Sequence, residues 1–400
     1  MQRIYENILL DHLGRLSQMA FLAGPRQVGK STIAQHILQQ KTGIYLNWDI
    51  LADRELILSG HRNIMQKHAP PQLGAPLPIT VLDEIHKFKD WKNYLKGFHD
   101  DCKNLTKILV TGSRRLDIFL KGGDSLMGRY FPYAVHPLSV SELIKLDPPQ
   151  TPLSDPCKIA DSAWQTLWQY GGFPDPFIQN NQNFFNQWQN LRHQQLFKED
   201  IVDLSQVSDI AQLEVLATVI QAQAGQMINY TSLGKAIRSS DQTIRRWLDL
   251  LESVYYCFRV RPWFNNVSRS IRKDPKIFLW DWSLVKNEGA KTENFIASHL
   301  RKSIDLWNQL GLGQFELFYV RDKEKNEVDF LVTREQQPWF LAEVKKSPQQ
   351  ALSPALSFFQ KQLHASHAFQ ITLDADFVEA DCFAHHQPLL VPAKTFLSQI

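Results

Sequence analysis

One eight-residue stretch, Gly24-Pro25-Arg26-Gln27-Val28-Gly29-Lys30-Ser31, limits what this chain can fold into more than any other feature. It follows the apolar run Met19 to Ala23 and precedes Ser31 to Gln40, where apolar residues recur at 33, 34, 37 and 38. That pattern predicts a buried strand, a glycine-bearing loop and an amphipathic helix, in that order. In such a setting G-x-x-x-x-G-K-[ST] is a phosphate cradle. Loop N–H groups close around phosphate oxygens, and the helix N-terminus adds its partial positive charge. Gly24, Pro25, Arg26, Gln27, Val28, Gly29, Lys30, Ser31 and Thr32 are therefore the candidate nucleotide-binding residues. Lys30 is placed to reach the β- and γ-phosphates and the Ser31 hydroxyl to ligate Mg²⁺.

A cradle of this kind needs a second strand that presents an acid to Mg²⁺ and to the attacking water. Pro78 to His86 supplies it, with apolar Ile79, Val81 and Leu82 leading to Asp83 and Glu84. In an open parallel sheet, ligands gather at the carboxyl ends of the strands. Asp83 is thus the expected Mg²⁺ carboxylate, acting through water, and Glu84 the group that polarises the nucleophilic water. A third strand, Lys107 to Thr111, runs into Gly112 and Ser113, so Thr111 or Ser113 is the candidate γ-phosphate sensor. Gly43 to Asp49 reads as another strand and Trp91 to Cys102 as a helix. Their alternation predicts an α/β fold with a doubly wound parallel sheet. Arg129, in Leu126-Met-Gly-Arg-Tyr130, is a candidate catalytic arginine, acting in cis or from a neighbouring subunit. The chain has no N-K-x-D guanine-reading motif, which favours ATP over GTP.

Gly-Pro-Arg-Gln-Val-Gly-Lys-Ser, Leu-Asp-Glu-Ile-His, Thr-Gly-Ser, and Gly-Arg-Tyr followed by His136-Pro-Leu-Ser139 together resemble a family of bacterial and archaeal AAA-type ATP-binding proteins. Its members carry a C-terminal domain of unknown function, and the resemblance spans nearly the whole chain. It implies ATP and Mg²⁺ as ligands and an ATPase activity. Many relatives have Thr where this chain has Ser31; either hydroxyl serves Mg²⁺.

The 400 residues exceed one ordinary core. The polar, Pro-rich stretch Asp147 to Pro156 marks a boundary. The expected domains are 1–146 (AAA-type P-loop), 147–288 (helical, with a winged helix-turn-helix) and 289–400 (restriction-endonuclease-like). A formal charge of +3 is too slight to declare nucleic-acid binding by itself. No apolar run nears the roughly 18 residues of a membrane span, so no membrane partner is expected. The N-terminus is unlike a signal peptide. Cys102, Cys157, Cys257 and Cys382 are scattered without a C-x-x-C pair, which suits reduced thiols in the cytoplasm.

Asn229 to Leu251 has the form of a helix-turn-helix, with helices expected over 232–237 and 242–251 and a cap at Ser240 or Asp241. Tyr255 to Val260 reads as the strand of a wing. Thr243, Arg245, Arg246 and nearby Arg238 are the candidate DNA contacts, supported by the basic residues Arg259, Arg261, Arg269, Arg272 and Lys273. The same helices also suit a protein-packing module.

From Thr292 onward the expected order is helix, three strands, helix, strand, which matches PD-(D/E)xK nuclease cores. Asp329 followed by Glu343-Val-Lys345 fits D…E-x-K, and Glu293 on the preceding helix resembles an extra acid used by some members. Glu327, two residues from Asp329 on one strand face, is a substitute ligand. Such acids hold Mg²⁺, which activates water beside a lysine. Three functions compete. The first is an ATP-hydrolysing switch or motor acting on a partner such as DNA, a protein or a second copy of the chain. The second is an ATP-gated Mg²⁺-dependent DNA nuclease, and the third a non-catalytic ATP-bound scaffold.

Overall fold

The computed structural model describes residues 1–68, 70, 74–112, 126–201, 210–263, 274–347 and 349–400. The chain forms two compact units, Met1–His136 with Leu146–Pro148, and Pro137–Lys145 with Pro149–Ile400. From residue 149 onward the helical region expected at 147–288 lies in the same unit as the domain expected from 289, and so does Pro137–Lys145 of the expected first domain.

The first unit holds β1 (Met19–Ala23), β2 (Gly43–Asn47), β3 (Ile79–Asp83), β4 (Lys107–Gly112) and β5 (Tyr130–Ala134). They form a sheet in the order β2-β3-β4-β1-β5, with every neighbouring pair parallel. All residues of β1 and β3 are buried, as befits inner strands covered on both faces. The helix Lys30–Gln40 buries Ile33, Ala34 and Ile37, the stripe read from the sequence. Phe21, Leu82, Leu95, Phe98 and Val110 share a core cluster. Burying each such side chain contributes about 1.5–3 kcal/mol. The register aligns Ala23 with Gly112 and Asp83 with Thr111. The loop after β1 and the acids ending β3 are thereby brought to one edge of the sheet.

The second unit contains the helix pair Tyr230–Ile237 and Asp241–Ser253, and seven strands: β6 (Cys257–Pro262), β7 (Lys276–Leu279), β8 (Phe315–Arg321), β9 (Glu327–Arg334), β10 (Gln337–Lys345), β11 (His367–Thr372) and β12 (Leu389–Pro392). The sheet order is β12-β11-β10-β9-β8-β6-β7. The helix Glu288–Gln309, β8 to β10, the helix Pro354–Leu363 and β11 reproduce the expected α-β-β-β-α-β succession. The strand expected to form a wing is paired on both sides. β6 pairs with β7 on one side and with β8 on the other, an interior place in the large sheet. Burial of Cys257, Phe258 and Val260 explains this, since a strand apolar on both faces is costly to leave at a solvated hairpin edge.

Candidate functional site: the phosphate loop and its acids

The loop between β1 and its following helix turns inward through two residues in left-handed conformations, Gln27 at φ 62° and Gly29 at φ 98°. Successive N–H groups in such a turn form an anion-binding concavity. Gly24 is required for a different reason: a Cβ there would lie 2.5 Å from the Val135 carbonyl oxygen. Lys30 folds back over the loop, donating to the carbonyls of Gly24 (3.0 Å) and Pro25 (2.8 Å). Neutral carbonyls holding an ammonium are partners that phosphate oxygens can replace at a gain, because charge-assisted hydrogen bonds are the stronger.

Asp83 stands at the end of β3, buried, and gathers three hydroxyls. Ser31 Oγ donates to its Oδ2 at 2.9 Å, Tyr45 OH donates to the same oxygen, and Thr111 Oγ1 donates to Oδ1. A serine hydroxyl and a carboxylate in contact are an oxygen donor set suited to Mg²⁺. Thr111, expected as a phosphate sensor, is found holding the acid. Glu84 follows at φ 56°, its N–H donating to the Thr111 carbonyl (3.2 Å). Its Oε2 lies 3.6 Å from His86 Nε2 and 3.7 Å from Lys87 Nζ. Burial raises the Glu84 pKa above the usual carboxylate value, while the Lys30 and Lys87 charges oppose the rise.

Two contributors were not singled out in the sequence. Tyr45 reaches Asp83 from β2, and burial followed by the hydrogen bond to Asp83 raises its pKa. The adjacency of β2 and β3 is the only signal for it. Arg3 is buried and donates to the carbonyls of Val28 and His136, each at 2.7 Å. It thereby braces the phosphate loop from the chain's third residue. Glu6, beside it, accepts from the Arg3 N–H (3.0 Å) and contacts His36 of the loop's helix (3.1 Å).

In the second unit the sequence-predicted acids do come together, but around a cation. Lys276 Nζ, from β7, lies 2.6 Å from Glu327, 3.2 Å from Asp329 and 4.0 Å from Glu293. Lys345 pairs with Glu343 at 2.7 Å, and Val344 N–H donates to Asp329 (2.9 Å). Burial alone would lower the Lys276 pKa, but Asp329, Glu293 and Glu327 outweigh it and raise it. Burial, then the Asp329 charge, pushes Glu293 up to about 8 and also raises Glu343. Among the described residues no group of three or more His, Cys, Asp or Glu side chains is arranged to hold a metal ion. Lys276 was missed; a lysine heading the apolar run Ile277-Phe-Leu279 is the only hint the sequence carries.

The helix pair is capped as expected, with Ser240 accepting from Thr243 N–H at 3.1 Å. Arg245 and Arg246 are exposed, and the Arg245 guanidinium lies 3.7 Å from the centroid of the Tyr230 ring. Arg259 is turned away from any ligand role by Asp249 and Glu252, each 2.5 Å from its Nη2. Arg269, Arg272 and Lys273 lie outside the described residues.

A family model of an AAA domain matches residues 16–144, the stretch that holds the sheet, loop and acids just described. This part of the chain is similar to AAA domains. Models of two domains of unknown function match residues 161–292 and, for DUF4143, 288–383. The chain is thus a P-loop ATPase fold joined to a C-terminal domain of unknown function. Among curated proteins it is similar to an uncharacterized protein of Mycobacterium tuberculosis, 24% identical over 353 residues, 84% of this chain and 72% of that one. A further relative, an uncharacterized protein of Haemophilus influenzae, is 21% identical over 221 residues, 54% of each chain. Among solved structures, the Walker-type ATPase of Pyrococcus abyssi covers 70% of this chain and 93% of its own at 16% identity and a TM-score of 0.44.

Within the AAA domain, Arg129 does not join the site. Its carbonyl accepts from Met19 N–H at the start of β1, whereas the phosphate loop follows the end of that strand. Five residues at ~3.3 Å each put the two roughly 16 Å apart along the strand. Arg129 instead holds Asp100 through Nε (2.8 Å) and Nη2 (3.0 Å) and lowers the Asp100 pKa to about 2. Within its own chain Arg129 is thus engaged with Asp100 rather than turned to the phosphate loop. Ser113 lies outside the described residues. No described helix is long and apolar enough to cross a membrane.

Proposed function

We propose that the AAA domain binds Mg-ATP and hydrolyses it, and that nucleotide state is passed to a partner of the second unit. The observation carrying this reading is the contact of Ser31 with Asp83 beside a Lys30 ammonium folded onto the loop carbonyls. ATP supplies the scissile phosphoanhydride and Mg²⁺ offsets the charge that develops on its phosphates. The loop N–H groups and Lys30 orient the phosphates, while Ser31 and Asp83 supply the oxygen ligands. Tyr45 and Thr111 hold the Asp83 carboxylate in place. Glu84 takes the proton of the attacking water, and its raised pKa suits it to accept one near neutral pH. Duplex DNA is the partner proposed for the helix pair, supported by exposed Lys235, Arg238, Arg245 and Arg246.

Steady-state phosphate release from Mg-ATP, with and without duplex DNA, tests this. Wild type is expected to turn over, Lys30→Ala to lose both turnover and nucleotide affinity, and DNA to change the wild-type rate. Release by wild type no faster than by Lys30→Ala would refute the ATPase reading. An unchanged rate and no retention of DNA would remove DNA as partner.

A further inference from the structure

The carboxylates of the nuclease-like core enclose a lysine. Lys276 is buried, at 3% exposure, and reaches this point because β7 lies at the sheet edge beside β6. Its ammonium touches Glu327 and Asp329 and stands 4.0 Å from Glu293. Gly225, at φ 80°, makes room for the third acid: a Cβ there would come within 2.9 Å of Glu293 Oε2. Glu343, only 7% exposed, spends one oxygen on Lys345, and its Oε2 has no hydrogen-bond partner among the described residues.

We propose that Lys276 is the resident cation of this cluster, filling the place where the D…E-x-K acids would hold a divalent ion. The C-terminal core is then a metal-free binding module. Its acids serve to hold β7, β9 and the first turns of the helix Glu288–Gln309 together rather than to cut a phosphodiester. Two physical facts support it. An ammonium at 2.6–3.2 Å from two carboxylates already occupies their inward lone pairs. Admitting a divalent ion would require a buried, triply paired ammonium to leave, or would set it against like charge at short range. The unpartnered Glu343 oxygen shows what is left over: an acceptor that the ammonium does not reach. Removing the lysine should therefore create the metal site that the acids alone spell out.

The test measures Mn²⁺ binding to the full chain without nucleotide, by the loss of the free-ion paramagnetic resonance signal. Wild type, Glu343→Gln, Lys276→Met and Lys276→Met/Glu343→Gln are compared, so that binding at the phosphate loop cancels. At about millimolar Mn²⁺, wild type and Glu343→Gln are expected to be alike. Lys276→Met should bind at least about tenfold more tightly than wild type, and the double variant should lose that gain. Lys276→Gln, which keeps a polar group, stands in if Lys276→Met fails to fold. Wild-type binding abolished by Glu343→Gln would overturn the proposal, as would wild-type nicking of supercoiled plasmid in Mn²⁺ that Glu343→Gln abolishes. A folded lysine variant with no added binding would also overturn it. None of these outcomes depends on ATP hydrolysis.

Discussion

Replacing Glu84 by Gln removes a proton acceptor while keeping shape, and the structure allows the consequences to be separated. The backbone is held by the Glu84 N–H bond to Thr111 and by a left-handed φ that Gln tolerates as Glu does. The bonds of Lys30 to the loop carbonyls and of Ser31 to Asp83 do not pass through the Glu84 side chain. Nucleotide affinity should therefore persist. Loss of a general base costs 10²- to 10⁴-fold in rate, or about 3–5 kcal/mol of transition-state stabilisation. The raised Glu84 pKa suits the role, because a base nearer the working pH transfers protons with less penalty. Stability should move the other way. A carboxyl with a raised folded-state pKa contributes stability that is fully present below its ordinary pKa and lost as pH rises through the folded value. Ionised Glu84 at neutral pH is thus a cost that Gln removes, so Glu84→Gln should melt no lower than wild type. The assay is phosphate release from pH 5 to 9 beside binding of a fluorescent ATP analogue and thermal melting. Wild-type kcat/KM should show an acid limb set by Glu84, and the variant should lack it. A variant that binds nucleotide and keeps more than about a tenth of wild-type kcat would refute the assignment of Glu84 as base.

Two further predictions concern the second unit. Glu142 and Lys302 form a buried ion pair, and Lys302 also donates to the Pro137 carbonyl at 2.9 Å. Lys302→Met alone should cost about 3–5 kcal/mol by leaving a buried carboxylate without its cation, and Glu142→Leu/Lys302→Met should recover most of it. Urea unfolding of all three proteins checks this, and equal losses in the single and double variants would contradict it. His299 is buried, accepts from Val140 N–H through Nε2 (3.2 Å) and donates through Nδ1 to Phe295 (2.7 Å), and burial lowers its pKa to about 3. An unfolded chain protonates this histidine at an ordinary pKa near 6.5 while the folded chain does not. Its contribution should therefore be lost as pH falls from about 6.5 toward 3. Relative to His299→Gln, wild type should lose stability on acidification across that window; parallel pH profiles would show the histidine to be irrelevant.

The legible parts of this protein are those whose meaning is local. The phosphate loop, its helix, and the Asp83-Glu84 pair at a strand end each depend on a few consecutive residues with fixed periodicity. The helix pair and its Ser240 cap were equally readable, because capping is decided within four residues. The place of strand β6 between β7 and β8 was not legible, because its apolar pattern announces burial without naming the neighbours that bury it.

By itself the sequence determined a glycine-bearing loop pattern ending at Lys30 and Ser31, the Asp83-Glu84 pair at a strand end, and later strands carrying Asp329 and Glu343. Only the tertiary structure decided which distant residues meet those groups. Strand order brought Tyr45 to Asp83, and the N-terminal helix brought Arg3 to the loop. Parallel register sent Arg129 to the far edge of the sheet, and β7 delivered Lys276 into the acids. The physical reason is common to all four. A side chain's chemistry is written in its own residue, but the charge or hydroxyl that meets it is fixed by strand pairing and helix packing, which join positions dozens of residues apart.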